Sequence, residues 1–311
     1  MTTTAVRVLM INKLRWPWIG GIERVAEQLY WGLPQQPGIS IHYLAISQTD
    51  QGQHVHDGAL RQAELLPNLF HTLFGRTLCF RMPGSFRIFK AVKKAQQACD
   101  VLLLHDPFPL GDLALLAAGG RKPLVVIWHS DIRRFALLRV LLRPVIRRLL
   151  DRAAAIVVTS PQLLEHSAYL KPYAAKTMVI PLGIPLDRFA AARPLSPQAG
   201  SLGFESGGYF LCVGRLAAYK GYDVLIRALA LKDTLPVVVI GEGPLEATLK
   251  RQAAAAKAPV YFIGYQSDQA IVAWLQHCHA LLLPSVDEAE AYGIVQVEAM
   301  ACGRPVISTA L

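Results

Sequence analysis

Short apolar runs rich in Val, Ile and Leu alternate along this chain with longer segments whose apolar residues recur at helical spacing. That alternation predicts parallel strands joined by crossover helices, an α/β architecture. Strands are predicted near Val6–Ile11, Ile41–Ile46, Val101–His105, Leu124–Trp128, Ile156–Thr159 and Met178–Pro181. Helices are predicted over Gly21–Leu33, Phe86–Ala98, Phe135–Leu150 and Pro161–Leu170. Together they make one doubly wound domain over residues 1–190. The stretch Pro181–Gly208 then loses periodicity and holds Pro181, Pro185, Pro194 and Pro197, so residues 191–208 read as a linker.

The alternation restarts beyond it. Strands are expected at Phe210–Val213, Val237–Ile240, Val260–Ile263, Ala280–Pro284 and Pro305–Ser308, with helices at Tyr222–Leu231, Pro244–Ala256, Asp268–His277 and Gly293–Cys302. A second Rossmann-like domain over 209–311 follows. Its last strand has no crossover helix after it, and a sheet left so would expose apolar faces. The second domain is therefore expected to be incomplete in this sequence, with further elements in a full-length protein.

Composition narrows the picture. A chain of 311 residues can bury two ordinary cores. No apolar run approaches the roughly 20 residues of a membrane-spanning helix, and the N-terminal MTTTAVRVLMIN enters a strand pattern without a leader, which predicts a cytoplasmic location. Cys79, Cys99, Cys212, Cys278 and Cys302 are odd in number and scattered, and read as free thiols. The net charge of +10 is uneven: of 32 Lys and Arg, 23 fall in the first 190 residues, against 12 of the 22 Asp and Glu. Nucleic acid, an anionic membrane or a phosphorylated substrate could each explain such a bias. No nucleic-acid-binding module accompanies it, so no nucleic-acid partner is expected. Within the bias, residues 133–152 and 81–94 place cations among bulky aliphatic and aromatic residues. Such helices suit an anionic bilayer, and equally a sheet-covering helix with a solvated basic face.

The densest chemistry follows the strand ALLLPS. Glu290-Ala-Tyr292-Gly293-Ile294-Val-Gln-Val-Glu298-Ala-Met-Ala-Cys-Gly303-Arg-Pro305 carries two glutamates with seven residues between them and a glycine where a helix would begin. Free N–H groups at a helix start can hold a diphosphate, Glu298 further along can reach a ribose diol, and Glu290 can accept hydrogen bonds from sugar hydroxyls. Arg215 and Lys220 stand in Val213-Gly214-Arg215-Leu216 and Lys220-Gly221, at the carboxyl end of a predicted strand, where α/β sheets bind ligands. Arg can clamp a phosphate bidentately and Lys adds a mobile point charge. Gly20 and Gly21, in Trp18-Ile19-Gly20-Gly21-Ile22-Glu23-Arg24, let backbone approach a phosphate or sugar. Trp128-His129-Ser130-Asp131 follows another strand, which puts His129 at the same kind of edge.

These residues resemble the retaining glycosyltransferases of family 4, and the matches run in family order along nearly all of the chain except roughly 48–80. The resemblance implies the GT-B fold: two Rossmann-like domains facing across a cleft, the second incomplete here. It implies that Arg215, Lys220 and the helix start at Gly293 hold the donor diphosphate, that Glu298 holds the ribose, and that Glu290 and His129 contact the transferred sugar. Tyr292 and Ile294 lie in the same motif. Gly241-Glu242-Gly243-Pro244 resembles the turn after the second strand of the donor domain. Gly264 and Tyr265, in Ile263-Gly264-Tyr265-Gln266-Ser267-Asp268, match the segment that usually cradles the base. Catalysis would be mostly electrostatic through an oxocarbenium-like ion pair, with anomeric configuration retained. Asp287 begins no DxD pair, so no metal is expected, and no cofactor beyond the nucleotide sugar. The pattern is similar to that of bacterial mannosyltransferases of surface polysaccharide assembly. This points to GDP-mannose as donor and a lipid-linked oligosaccharide or glycolipid as acceptor, with a UDP-sugar, a soluble acceptor or an inactive nucleotide-sugar-binding remnant as alternatives.

Overall fold

The computed structural model describes residues 5–14, 21–48, 70–78, 82–84, 86–132, 136–231, 234–287, 290 and 292–310. The chain divides into two compact units, Met1–Leu182 and Gly183–Leu311.

The first unit runs β1 (Val6–Leu14), α1 (Gly21–Gly32), β2 (Ile39–Gln48), β3 (Phe70–Leu78), β4 (Met82–Gly84), α2 (Arg87–Ala95), β5 (Val101–Asp106), α3 (Pro109–Ala118), β6 (Leu124–Trp128), α4 (Ala136–Arg152), β7 (Ala155–Val158), α5 (Pro161–His166) and β8 (Thr177–Val179). The strands form one sheet in the order β4-β3-β2-β1-β5-β6-β7-β8, parallel throughout except for the antiparallel β3–β4 pair. The chain starts at β1, builds outward to β4, and returns to pair β5 on the free side of β1. The carboxyl ends of β1 and β5 therefore flank a topological switch point.

Strands buried on both faces need apolar residues at nearly every position. In β1, Leu9 and Ile11 enter a core shared with Ile88 and Val92 of α2, Leu115 of α3 and Ile146 and Leu149 of α4. Met10, pointing the other way, packs with Ala26 and Tyr30 of α1. Helix α5 ends at His166 instead of continuing to Leu170. Ser167 turns its hydroxyl to Asp131, at 2.7 Å, and no longer carries helical dihedrals.

The second unit runs α6 (Asp187–Ala190), α7 (Pro197–Ser201), β9 (Phe210–Val213), α8 (Tyr222–Leu229), β10 (Val237–Ile240), α9 (Glu246–Ala255), β11 (Val260–Gly264), α10 (Asp268–His277), β12 (Leu281–Leu283), α11 (Ile294–Ala301) and β13 (Val306–Ser308). Its parallel sheet has the order β11-β10-β9-β12-β13, so the switch point lies between β9 and β12. Alternate residues again divide the core. Leu211, Val238, Ile240, Leu281 and Leu283 face Trp274 and Leu275 of α10 and Ala299 of α11, while Cys212, Val237, Val239 and Leu282 face α8 and α9.

Residues 183–208, which the sequence pattern divides between the end of the first domain and a linker, lie in the second unit. Ala199 and Phe204 are core residues, and Phe189 is buried. Side chains of α10 satisfy the irregular backbone: Gln276 Nε2 donates to the carbonyls of Phe189 and Ala191, and its Oε1 accepts from Arg193 N at 2.8 Å. Proline removed helical periodicity from this segment without removing its packing.

Candidate donor and catalytic site

In the second unit, three loops at the carboxyl ends of β9, β10 and β12 are stitched together by backbone. Gly214 N donates to Ile240 O, Leu216 N to Glu242 O, and Val286 N to Tyr219 O, at 2.9, 3.0 and 2.9 Å. Gly241 and Gly243 are demanded by this stitching: a Cβ would lie 2.1 Å from Gly214 O in the one and 2.4 Å from Leu216 O in the other. Gly221 caps α8 with φ +66°, and a Cβ there would fall 2.0 Å from Pro284 O. That approach draws the loop bearing Lys220 onto the loop bearing Glu290.

The consequence is a nearly buried cluster at the switch point. Lys220 Nζ lies 2.5 Å from Glu290 Oε2, which also accepts from Ser285 Oγ at 3.0 Å. Lys220 is 7% exposed and lies across Gly214, where a Cβ would come within 3.0 Å of its Nζ. Arg215, one residue beyond Gly214, is exposed at the same strand end. Gly293 takes φ +64° as N-cap of α11 without a side-chain cap, and the N–H of Gln296 returns to Gly293 O at 2.8 Å. The amides of Ile294 and Val295 open the helix and are oriented for an anion. Glu298, 4% exposed, lies one turn further on, and Tyr292 is half-buried ahead of the helix. Lys220, Glu290, Gly293, Ile294 and Glu298 thus fall on the two loops, or the helix they lead into, that bracket the switch point. Gly264 (φ +71°) and the exposed Tyr265 stand two strands away, at the end of β11, where Gly264 O accepts from Gly241 N at 2.8 Å.

The first unit has its own cluster. His129 follows β6 and is 5% exposed; its N–H donates to Asp106 O at 2.9 Å. His105, at the end of β5, sets Nδ1 2.9 Å from His129 Nε2. Burial lowers both: His105 falls well below the ordinary histidine value and His129 to about 4, with Lys13 adding to the latter. Lys13 also acts on Glu23, a buried carboxyl at the start of α1 that burial pushes up. Next to this group Asp106 and Asp112 are fully buried. Burial holds both above the usual carboxylate range, with the neighbouring Asp106 raising Asp112 further, and neither oxygen of Asp112 has a hydrogen-bond partner. Gly21 opens α1 with free space beside it. Gly20 lies outside the described residues.

Sequence reasoning missed His105, Lys13, Glu23 and Ser285. His105 carries the signal that singled out His129, a histidine directly after an apolar strand run, whereas Ser285 becomes visible only once Glu290 folds back onto it. Cys99, Cys212 and Cys278 are buried free thiols and Cys302 is half-buried; Cys79 lies outside the described residues. Among the described residues, no group of three or more His, Cys, Asp or Glu side chains is placed to hold a metal ion. Nor is any helix there long and apolar enough to cross a membrane.

Two α/β units built on largely parallel sheets are also what solved structures display. Anabaena Alr3699/HepE, in complex with UDP and glucose, superposes with a TM-score of 0.72 at 20% identity, over 97% of this chain and 80% of that one. The fold is that of the GT-B glycosyltransferases. Residues 19–188 match Glycosyltransferase Family 4, and 199–311 match Glycosyl transferases group 1. The D-rhamnosyltransferase WbpZ of Pseudomonas aeruginosa is 36% identical over 296 residues, 94% of this chain and 74% of that protein. The O-antigen chain mannosyltransferase C of Escherichia coli is 32% identical over 305 residues, 97% and 79% of the two chains. The chain belongs to glycosyltransferase family 4.

Proposed function

We propose that this protein transfers a hexose, mannose from GDP-mannose, to a lipid-linked oligosaccharide or glycolipid in surface polysaccharide synthesis, with retention of anomeric configuration and without a metal ion. The observation that carries the reading is the cluster of Lys220, Glu290 and Ser285 beside Arg215 and the α11 start. It offers two cations and free amides to a diphosphate, a carboxylate to a sugar, and Glu298 to a ribose. The departing diphosphate is neutralised by Arg215, Lys220 and the helix start, the part a metal ion plays elsewhere. Glu290 and His129 orient the sugar. The mannose assignment is supported by the similarity to the Escherichia coli mannosyltransferase.

The lipid side is supported by α4 and α2. Val140 and Leu141 are 66% and 69% exposed, flanked by exposed Arg139 and Arg143, and Phe86 is 74% exposed just before Arg87. Apolar residues held out among cations suit the surface of an anionic bilayer.

Calorimetric titration with GDP-mannose, UDP-glucose, UDP-galactose and UDP-N-acetylglucosamine tests the donor. GDP-mannose is expected to bind tightest. Arg215→Ala and Glu298→Ala are each expected to weaken it about tenfold or more, as loss of a charge-assisted hydrogen bond does. Preference for a uracil nucleotide would replace the donor, and two variants with wild-type affinity would displace the site. Turnover that chelator abolishes and manganese restores would refute metal independence.

A further inference from the structure

The pairing of His105 with His129 has a consequence for what His129 presents to a substrate. The Nδ1···Nε2 distance is 2.9 Å, the ring centroids are 5.2 Å apart and the ring planes differ by 8°. That centroid distance equals the N···N distance plus the radii of the two rings. Both nitrogens therefore lie on the line between ring centres, and the rings are coplanar edge to edge. This is a hydrogen bond along the lone-pair direction, not a face-to-face stack.

One proton occupies that bond, and its owner decides both tautomers. His105 is 1% exposed and its Nε2 has no partner. If His129 donated, His105 would carry its own proton on Nε2 and bury an N–H with no acceptor. Orphaned N–H groups are the rarer defect in folded proteins. If His105 donates through Nδ1, only a lone pair is left over at its Nε2, and His129 must carry its proton on Nδ1. No described group hydrogen-bonds His129 Nδ1, and His129 keeps 5% exposure.

We infer that His105 is a positioning residue: by donating from Nδ1 it fixes His129 as the neutral Nδ1–H tautomer, whose N–H is the hydrogen-bond donor left to offer to a hydroxyl oxygen of the transferred sugar. The sugar in this statement rests on the glycosyl-transfer reading; the tautomer does not. Both rings stay uncharged because burial opposes protonation, with Lys13 adding to that on His129. His129 acts here as a donor of fixed direction and not as a base.

Long-range 15N–1H correlation spectra of 15N-histidine-labelled protein at neutral pH read the two tautomers directly, with assignment by single-histidine variants. The expected result is a protonated Nδ1 and an unprotonated Nε2 on both His105 and His129. In His105→Leu, the Nε2 of His129 loses its donor, and its 15N resonance should move downfield toward that of an unbonded ring nitrogen. His105→Asn, whose amide donates from near the Nδ1 position, should hold the Nδ1–H form. Turnover should fall on the order of tenfold in the leucine variant, the size of one orienting hydrogen bond, and recover in the asparagine variant, with nucleotide affinity unchanged in both. A wild-type His129 protonated on Nε2 overturns the inference, as does a leucine variant with an unaltered His129 spectrum. If the leucine variant does not fold, the wild-type and asparagine spectra decide alone. The predicted tautomers in a protein that transfers no sugar from any nucleotide would confirm the hold of His105 on His129 and sink the glycosyl-transfer reading.

Discussion

At the scale of single residues, the donor site depends on atoms that are missing as much as on those present. Gly221 combines a left-handed φ with a Cβ position 2.0 Å from Pro284 O, a backbone atom that cannot swing aside. Gly264 has a similar φ but open space around it. The two separate dihedral strain from steric exclusion. Gly264→Ala should cost about 1 kcal/mol, the ordinary penalty of a left-handed non-glycine residue. Gly221→Ala should cost about 3 kcal/mol or more, because the loop carrying Pro284 and Val286 must also move. Denaturant unfolding measures both. Since that loop also holds Ser285 and leads to Glu290, Gly221→Ala should weaken nucleotide binding as well. Equal costs for the two substitutions would show that the close approach is not real. Of the residues flagged in the sequence, Lys220 and Glu290 meet directly, His129 is buried beside a partner that pattern reading passed over, and Arg215 stays exposed at its strand end.

At the scale of elements, α4 shows how one helix can carry two demands. Ile146 and Leu149 are fully buried against the sheet, and Val140 and Leu141 stand out among arginines. Ile146→Ala should cost about 2–5 kcal/mol of stability through the cavity it leaves. Val140→Ser with Leu141→Ser should stay within about 1 kcal/mol, as surface changes do. The paired serine variant should nevertheless lose flotation with phosphatidylglycerol-containing vesicles, by about tenfold or more in affinity, from the apolar area withdrawn. Retained flotation would leave the exposed pair as ordinary surface and remove the support it gives to a lipid acceptor. Most strands were legible because a parallel sheet buried on both faces writes itself as unbroken apolar runs. The helix α3 was not: PLGDLALLAA lies between α2 and α4 and is apolar nearly all round, so it shows no contrast of faces. Strand β3, Phe70–Leu78, escaped for the opposite reason, since His71, Thr72, Gly75 and Arg76 break both alternation and continuity.

At the scale of the whole molecule, the first unit has put four titratable groups, two histidines and two carboxyls, into its core next to the same strand ends, and their linkages to pH have opposite signs. Burial keeps His105 and His129 neutral, His129 down to about 4. The unfolded chain, with histidines near 6.5, then binds more protons than the fold, so the stability tied to this pair is complete above about pH 6.5 and is lost as pH falls through 4. Asp106 and Asp112 behave conversely. Burial raises both, so the fold retains protons on them that the unfolded chain releases above about pH 4. Their contribution is complete in acid and is lost as pH rises through their folded values. The two slopes oppose each other across the weakly acid range, which should flatten stability there. Asp112→Asn isolates one of them, because the amide keeps the shape and stays neutral without a proton from solvent. Relative to the wild type, the variant should gain Tm as pH rises from 5 to 8, with the larger gap at pH 8. A gap that stays constant with pH would mean that Asp112 holds no proton in the fold, and the carboxyl pair would then need another account of how it stays buried.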